Sequence, residues 1–72
     1  MNKTNGNELF GTNIKRLMRR RHKTQTDLAR HLYISPGTLY AMLTGRTRLH
    51  LDDALKIADF LDCSVYDFVK LP

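Results

Sequence analysis

The stretch from Thr24 to Gly45 limits the fold more than any other part of this chain, because it carries two helix starts and one helix stop. Thr24 and Ser35 are residue types that cap helix N-termini, and Pro36 suits the first turn of a helix. Gly45 is the residue type that most often follows a helix end. The pattern predicts a short helix, a tight turn and a second helix. The side chains expected to lock the two helices together are Leu28, Ala29, Leu32, Ile34, Leu39 and Met42.

Length and composition indicate one small domain. A chain of 72 residues has little room for a deep catalytic cavity. The longest unbroken apolar run, Leu39 to Leu43, is far shorter than the ~20 residues of a membrane helix, and the polar residues 1–7 are not expected to form a signal peptide. Cys63 is the single cysteine, so an internal disulfide is excluded and a reducing compartment is expected. We predict a cytoplasmic protein with no membrane contact.

Charge is distributed unevenly along the chain. Residues 9–50 hold nine basic side chains against one acidic side chain, a net charge of +8, whereas residues 51–72 hold two basic against five acidic side chains, a net charge of −3. A basic region of this size indicates a polyanionic partner, and nucleic acid is the commonest one. The alternative is a solubilising surface with no particular partner.

Three more helices are predicted around the central unit. The chain is then all-α: a compact five-helix domain over residues 8–72, with the helix-turn-helix as helices 2 and 3, after a flexible segment over residues 1–7. Helix 1 covers roughly residues 8–21 with Asn7 as its N-cap, helix 4 begins near Leu51, and helix 5 follows a capping box of Ser64 and Asp67. The buried stripe expected in helix 4 is Leu51, Ala54, Leu55, Ala58 and Leu61, widened by Ile57, and the packing face expected in helix 5 is Val65, Phe68 and Val69.

Some polar residues of this pattern can be explained in two ways. Gln25 opens helix 2 after the cap formed by Thr24 and Asp27, close to backbone N–H groups that attract a phosphate; the alternative is a solvated glutamine. The arginines at 19–21 fall in the last turn of helix 1. Cations there stabilise the negative end of the helix dipole, and we favour this structural explanation for them.

The order and spacing of several motifs resemble one family. The motifs are Thr24-Gln25-x-x-Leu28-Ala29, Ile34-Ser35-x-x-Thr38-Leu39, Gly45-Arg46, Leu55-x-Ile57-Ala58-x-x-Leu61 and Ser64-x-x-x-Phe68. Over residues 9–70 the chain resembles the lambda-repressor-like, Cro/C1-type (XRE family) helix-turn-helix domains. The resemblance implies a DNA-binding transcription regulator with double-stranded DNA as partner, a homodimer on DNA, and neither a cofactor nor a small-molecule ligand. If the chain ends at Pro72, a small phage- or bacterial-type Cro-like repressor is expected rather than a ligand-sensing regulator.

The resemblance also implies a site. In this family helix 3 enters the major groove, while the start of helix 2 and the loop after helix 3 contact phosphates. The base-facing positions carried over are Ser35, Pro36, Gly37, Thr38, Tyr40 and Ala41, and the phosphate-facing positions are Gln25, Thr44, Arg46 and Arg48. A dimer surface is expected from surplus apolar groups near the acidic end, namely Phe60, Tyr66 and Leu71; ordinary core packing is the alternative for each of them.

Three features depart from the family pattern. Tyr33 stands where the tight turn usually has glycine, so either it adopts a positive φ at a cost of about 1–2 kcal/mol or the turn has another shape. Met18 and Leu43 replace an arginine–glutamate pair, and an apolar pair can do so without loss of stability. The outer face of helix 3 has few hydrogen-bonding side chains. Contacts of Thr38 and Ala41 with thymine methyl groups are therefore expected rather than bidentate hydrogen bonds.

An enzyme is not expected. His22, His31 and His50 lack metal-ligand spacing and Cys63 lacks a CxxC partner, so neither a catalytic nor a metal site is predicted, and Cys63 is expected in the core. The alternative function is a protein-interaction module, such as an antitoxin or the partner of a regulator, that uses the apolar face of helix 3.

Overall fold

The computed structural model of the chain describes residues 6–70, and within that range it contains helices and no strand. The elements are α1 (Gly6–Arg20), α2 (Gln25–Leu32), α3 (Pro36–Leu43), α4 (Leu51–Leu61) and a 3₁₀ turn (Val65–Phe68). The predicted all-α class and the helix-turn-helix at α2 and α3 are confirmed. Helix α1 begins at Gly6, so Asn7 lies inside the helix and is not its N-cap. Residues 1–5 of the predicted flexible segment and residues 71–72 lie outside the described residues.

The prediction of a fifth helix is wrong, because the last element is a single 3₁₀ turn. The capping box of Ser64 and Asp67 is present, with the Ser64 amide donating to Asp67 Oδ2 over 3.0 Å. In a continuing α-helix the Phe68 carbonyl would accept a hydrogen bond from the amide of residue 72, which is proline and has no N–H. The Phe68 carbonyl instead accepts a hydrogen bond from the side chain of Asn13.

Asn13 connects α1 to the C-terminal turn, and the sequence prediction missed it. Its Nδ2 donates to the carbonyls of Phe68 over 2.7 Å and of Lys70 over 2.9 Å. The side chain is 1% exposed. The available signal was a polar residue three positions after Phe10 and four before Leu17, on the apolar side of the helix. Buried polar groups usually have partners; here Nδ2 finds them in backbone groups far away in the sequence, while Oδ1 is buried with no hydrogen-bond partner among the described residues.

The two caps predicted for the central unit are confirmed. Thr24 Oγ1 accepts from the Asp27 amide over 3.1 Å, and Ser35 Oγ accepts from the Thr38 amide over 3.1 Å. Each cap satisfies one of the backbone donors that a helix N-terminus leaves without an intrahelical partner. The two helices therefore begin where the sequence predicts.

All four helices end in the same way, with a left-handed residue and a hydrogen bond spanning six residues. Tyr33 ends α2 with φ 58° and ψ 40°, and the Ile34 amide donates to the Ala29 carbonyl over 3.0 Å. This is a Schellman motif, which usually has glycine at the left-handed position. Only α3 has one there. The four left-handed residues, in chain order, are His22, Tyr33, Gly45 and Asp62.

Side chains of α1, α2, α3 and α4 form the core together with Leu49 and Phe68. The core's fully buried large side chains are Ile14, Leu28, Leu39, Ile57, Leu61 and Phe68. The predicted buried face of α4 needs a correction. Leu51 and Leu55, predicted to be buried, are 66% and 52% exposed. The buried arc of α4 is Ala54, Ile57, Ala58 and Leu61. Because successive residues turn by about 100°, Leu51 and Leu55 fall at the edge of this arc, toward solvent.

Helix α1 packs closely against the end of α3. Met18 and Leu43 are both buried in the core, as expected for an apolar pair. Gly11 is also buried. A Cβ at this position would lie 1.8 Å from the Leu43 carbonyl oxygen. Helix α1 thus passes against the backbone at the end of α3. No side chain larger than hydrogen fits at position 11.

We expect Gly11→Ala to lower the free energy of unfolding by about 3 kcal/mol, because the added methyl group meets backbone atoms that cannot move independently. Gly37→Ala is the matched control, since a Cβ there meets nothing closer than Ser35 Oγ at 4.0 Å. Its expected effect lies between zero and about 1 kcal/mol of stabilisation. Urea denaturation followed by circular dichroism measures both. Similar effects of the two substitutions would contradict the close contact.

We expect Tyr33→Gly to raise the free energy of unfolding by about 1 kcal/mol. Glycine relieves the left-handed strain, and the tyrosine side chain is 96% exposed, so little packing is lost. Tyr66→Gly, at an exposed tyrosine with ordinary backbone angles, is expected to destabilise by about 1 kcal/mol. Thermal denaturation distinguishes the two, and destabilisation by Tyr33→Gly would show that the side chain has a contact of its own.

Candidate nucleic-acid interface

Helix α3 has a buried side and an outer side. Leu39, Met42 and Leu43 are buried against the other helices. Of the six residues predicted to face bases, Ser35, Pro36, Gly37, Thr38 and Tyr40 are exposed and Ala41 is partly buried. The fold therefore brings the six together on one solvent-facing surface, which we call the α3 face.

The α3 face offers few hydrogen-bonding groups to a ligand. The hydroxyl groups of Ser35 and Thr38 are hydrogen-bonded to each other over 2.9 Å, and Ser35 Oγ also caps the helix. Pro36 and Gly37 have no side-chain donor or acceptor. What remains accessible is a set of methyl, methylene and backbone groups, together with the half-exposed ring of Tyr40.

The loop after α3 presents two arginines beside this face. Gly45 makes the turn with φ 82°, and the Arg46 amide donates to the Ala41 carbonyl over 2.9 Å. Arg46 and Arg48 are exposed, while the following Leu49 is buried and anchors the loop in the core. The loop is thus held at both ends with its guanidinium groups in solvent.

The remaining two predicted phosphate-facing residues lie at different places. Gln25 is exposed at the first position of α2, directly after the Thr24 cap. Thr44 is partly buried, and its hydroxyl donates to the Tyr40 carbonyl over 2.8 Å. To donate to a phosphate, Thr44 would have to give up that bond, so its side chain is less available than Gln25, Arg46 or Arg48.

The three residues predicted for a dimer surface are not equivalent. The ring of Phe60 is partly buried against the core, with its centroid 4.9 Å from that of His31 and 5.1 Å from Lys23 Nζ. Tyr66 is exposed on the 3₁₀ turn. Leu71 lies outside the residues that the structure describes. Phe60 thus already has packing partners within the chain.

Among residues 6–70, the groups with a shifted pKa are Cys63 and Asp67, both in the acidic C-terminal part of the chain. Burial, and then the carboxylate of Asp67, raise the pKa of the Cys63 thiol, so this thiol is less acidic than an ordinary cysteine. The Lys70 ammonium, 2.9 Å from Asp67 Oδ1, and the Ser64 amide lower the pKa of Asp67. These groups lie on and beside the 3₁₀ turn, apart in sequence from the α3 face.

No three His, Cys, Asp or Glu side chains of residues 6–70 are grouped so that they could hold a metal ion. None of the helices in this range is long and apolar enough to cross a membrane.

A family model for the Cro/C1-type HTH DNA-binding domain matches residues 13–72. The chain belongs to the Cro/C1-type helix-turn-helix DNA-binding family. This confirms the resemblance found in the motifs, and it makes the protein a DNA-binding regulator in general terms, with double-stranded DNA as its partner. No curated protein and no solved structure gives a significant match to the chain.

Proposed function

We propose that this protein is a small sequence-specific repressor of the Cro type that inserts α3 into the major groove of DNA. The observation that carries the proposal is the α3 face itself. It is exposed on one side of a helix whose other side is buried, and it is followed by a loop with two exposed arginines. A helix presented in this way fits the width of the major groove.

Binding affinity is expected to come mainly from the phosphate contacts. Gln25 lies before the α3 face in the chain and the Arg46–Arg48 loop lies after it, in the part of the chain that carries the net charge of +8. Neutralising phosphates with arginine releases counterions, so binding of this kind weakens steeply as salt is added.

Base recognition is expected to rely on apolar contact and close approach. Thr38 and Ala41 present methyl groups that suit the C5-methyl of thymine. Gly37 has no Cβ and lets the backbone come near the base edges. Because the Ser35 and Thr38 hydroxyls already bind each other, the face makes few directional bonds. It should therefore tolerate more variation in DNA sequence than a glutamine-rich reading helix.

A homodimer is proposed because one reading helix covers too little DNA. The eight residues of α3 extend about 12 Å, which corresponds to about four base pairs. Two copies on half-sites about 34 Å apart would double the recognised sequence. The proposed contacts between the two copies are made by Phe60, Tyr66 and Leu71.

The phosphate assignment predicts that Arg46→Ala combined with Arg48→Ala weakens binding to random-sequence duplex DNA by about 10- to 100-fold at low salt. The slope of log K against log [salt] should fall in magnitude by about two, one for each lost contact. Fluorescence anisotropy with a labelled duplex measures both quantities. Lys56→Ala with Lys70→Ala removes the same charge from the acidic end and should change the slope little. An unchanged slope in the arginine variant would refute the assignment.

The alternative function is a protein-interaction module, such as an antitoxin or a regulator partner. It is favoured by the mainly apolar character of the α3 face, where Pro36, Gly37 and Ala41 offer no polar side chain. The same anisotropy measurement separates the two functions. Absence of duplex binding by the wild-type protein at low salt would favour the interaction module, and strong salt-dependent binding would favour the repressor.

A further inference from the structure

We infer that Lys15 and Arg19 of α1 form an additional contact site for a DNA backbone phosphate, in a cleft between α1 and the start of α2. The cleft has a volume of about 330 Å³ and is lined by Lys15, Met18, Arg19, Lys23 and Gln25. The inference rests on the proposed DNA-binding function and extends it to a helix that the sequence prediction assigned to the scaffold.

The charge of the cleft is not explained by the fold. Three of its five lining residues are cations and none is an acid. The ion pairs found among residues 6–70 involve other cations, Arg30 with Asp27 and Lys70 with Asp67. Lys15 and Arg19 are four residues apart on one helix face, a spacing at which like charges repel each other and destabilise the helix. An external anion would relieve that repulsion.

The helix dipole, which is our sequence-based explanation for the arginines at 19–21, accounts for Arg19 in the last turn of α1 but not for Lys15. Lys15 lies more than a turn before the end of α1 at Arg20, and the dipole effect is confined to the last turn. Arg21, by contrast, has a structural partner, since its guanidinium donates to the Asp62 carbonyl over 3.4 Å. Lys15 and Arg19 take part in neither of the two ion pairs found among residues 6–70, and both line the cleft.

The opposite wall of the cleft suits an anion as well. Gln25 is the first residue of α2, and the Thr24 hydroxyl satisfies the amide of Asp27 and not those of the first two helical residues. Amides at these positions have no intrahelical acceptor. The buried Met18 lies between the two cationic side chains in sequence and forms an apolar base. A phosphodiester oxygen entering the cleft would meet cations on one side and backbone donors on the other.

Lys23 contributes less to the proposed phosphate site than Lys15 and Arg19 do. Its ammonium group lies 5.1 Å from the centroid of the Phe60 ring, and it also lines a neighbouring cleft with Asp27, Arg30 and His31. The Lys23 side chain therefore lines both clefts. Its ammonium group lies over the Phe60 ring. The site is defined by Lys15 and Arg19.

The test compares two double variants of the same helix, measured with a random-sequence duplex between about 50 and 200 mM salt. Lys15→Gln with Arg19→Gln removes the cleft cations. Arg16→Gln with Arg20→Gln removes the same charge from positions about 100° further around the helix, outside the cleft lining. We expect the first variant to lose about one to two units of salt slope and about 10-fold in affinity at low salt, and the control to lose less than half as much. Thermal denaturation of each variant establishes that it is folded.

The outcomes separate this inference from the proposed function. If the wild-type protein binds the duplex and the two double variants behave alike, the positive charge acts only at long range and the cleft is not a contact site. If the wild-type protein does not bind duplex DNA at low salt, both the cleft and the proposed function are overturned. A selective loss in the Lys15 and Arg19 variant, in addition to the loss caused by the Arg46 and Arg48 variant, supports two separate phosphate sites.

Discussion

The contact between the α1 backbone and the end of α3 is the constraint on which the rest of the structure depends. At Gly11 the backbones of the two helices approach so closely that only a hydrogen atom fits beside the Leu43 carbonyl. This contact fixes the orientation of α3, because Leu39, Met42 and Leu43 must then point into the core. The outer side of α3 is thereby presented to solvent as a rigid surface, and the loop that follows carries Arg46 and Arg48 next to it.

On this surface the apolar groups and the charged groups lie in different places. The α3 face has methyl groups, a proline and a glycine, and its two hydroxyl groups are bonded to each other. The charged groups lie around it, at Arg46 and Arg48 and, by our inference, at Lys15 and Arg19. Phosphate contacts position a protein on DNA and base contacts specify the sequence. We therefore expect strong electrostatic attachment to DNA and modest base selectivity.

Interactions between residues close in sequence were enough to predict the helix-turn-helix between Thr24 and Gly45. The caps at Thr24 and Ser35 follow from interactions within a few residues, and the structure confirms them. For Tyr33 the sequence left two turn shapes open, and the structure has the left-handed one. The family match over residues 13–72 confirms the class of protein. Whether each residue of the α3 face touches a base stays a prediction, because exposure shows only that it is available.

Interactions between distant parts of the chain were not predictable in the same way. The fifth helix was predicted from a capping box that is present, but Asn13 of α1 takes the Phe68 carbonyl and the helix does not continue. Leu51 and Leu55 fit an apolar stripe by periodicity, and only the placement of α4 against α2 and the C-terminal turn shows which edge of the stripe remains exposed. A glycine inside a helix lowers its stability, and the reason for Gly11 lies in the distant α3 backbone beside it.

The central claim is that α3 and its flanking cations form the surface that meets DNA. An NMR titration of the protein with duplex DNA at low salt tests it most directly, because every backbone amide reports separately. The account predicts shifts at Gln25, Gly37, Thr38, Arg46 and Arg48, with the exposed residues Leu55, Asp59 and Tyr66 unchanged apart from any effects of dimerisation. Shifts concentrated on α4 with the α3 face unaffected would contradict it.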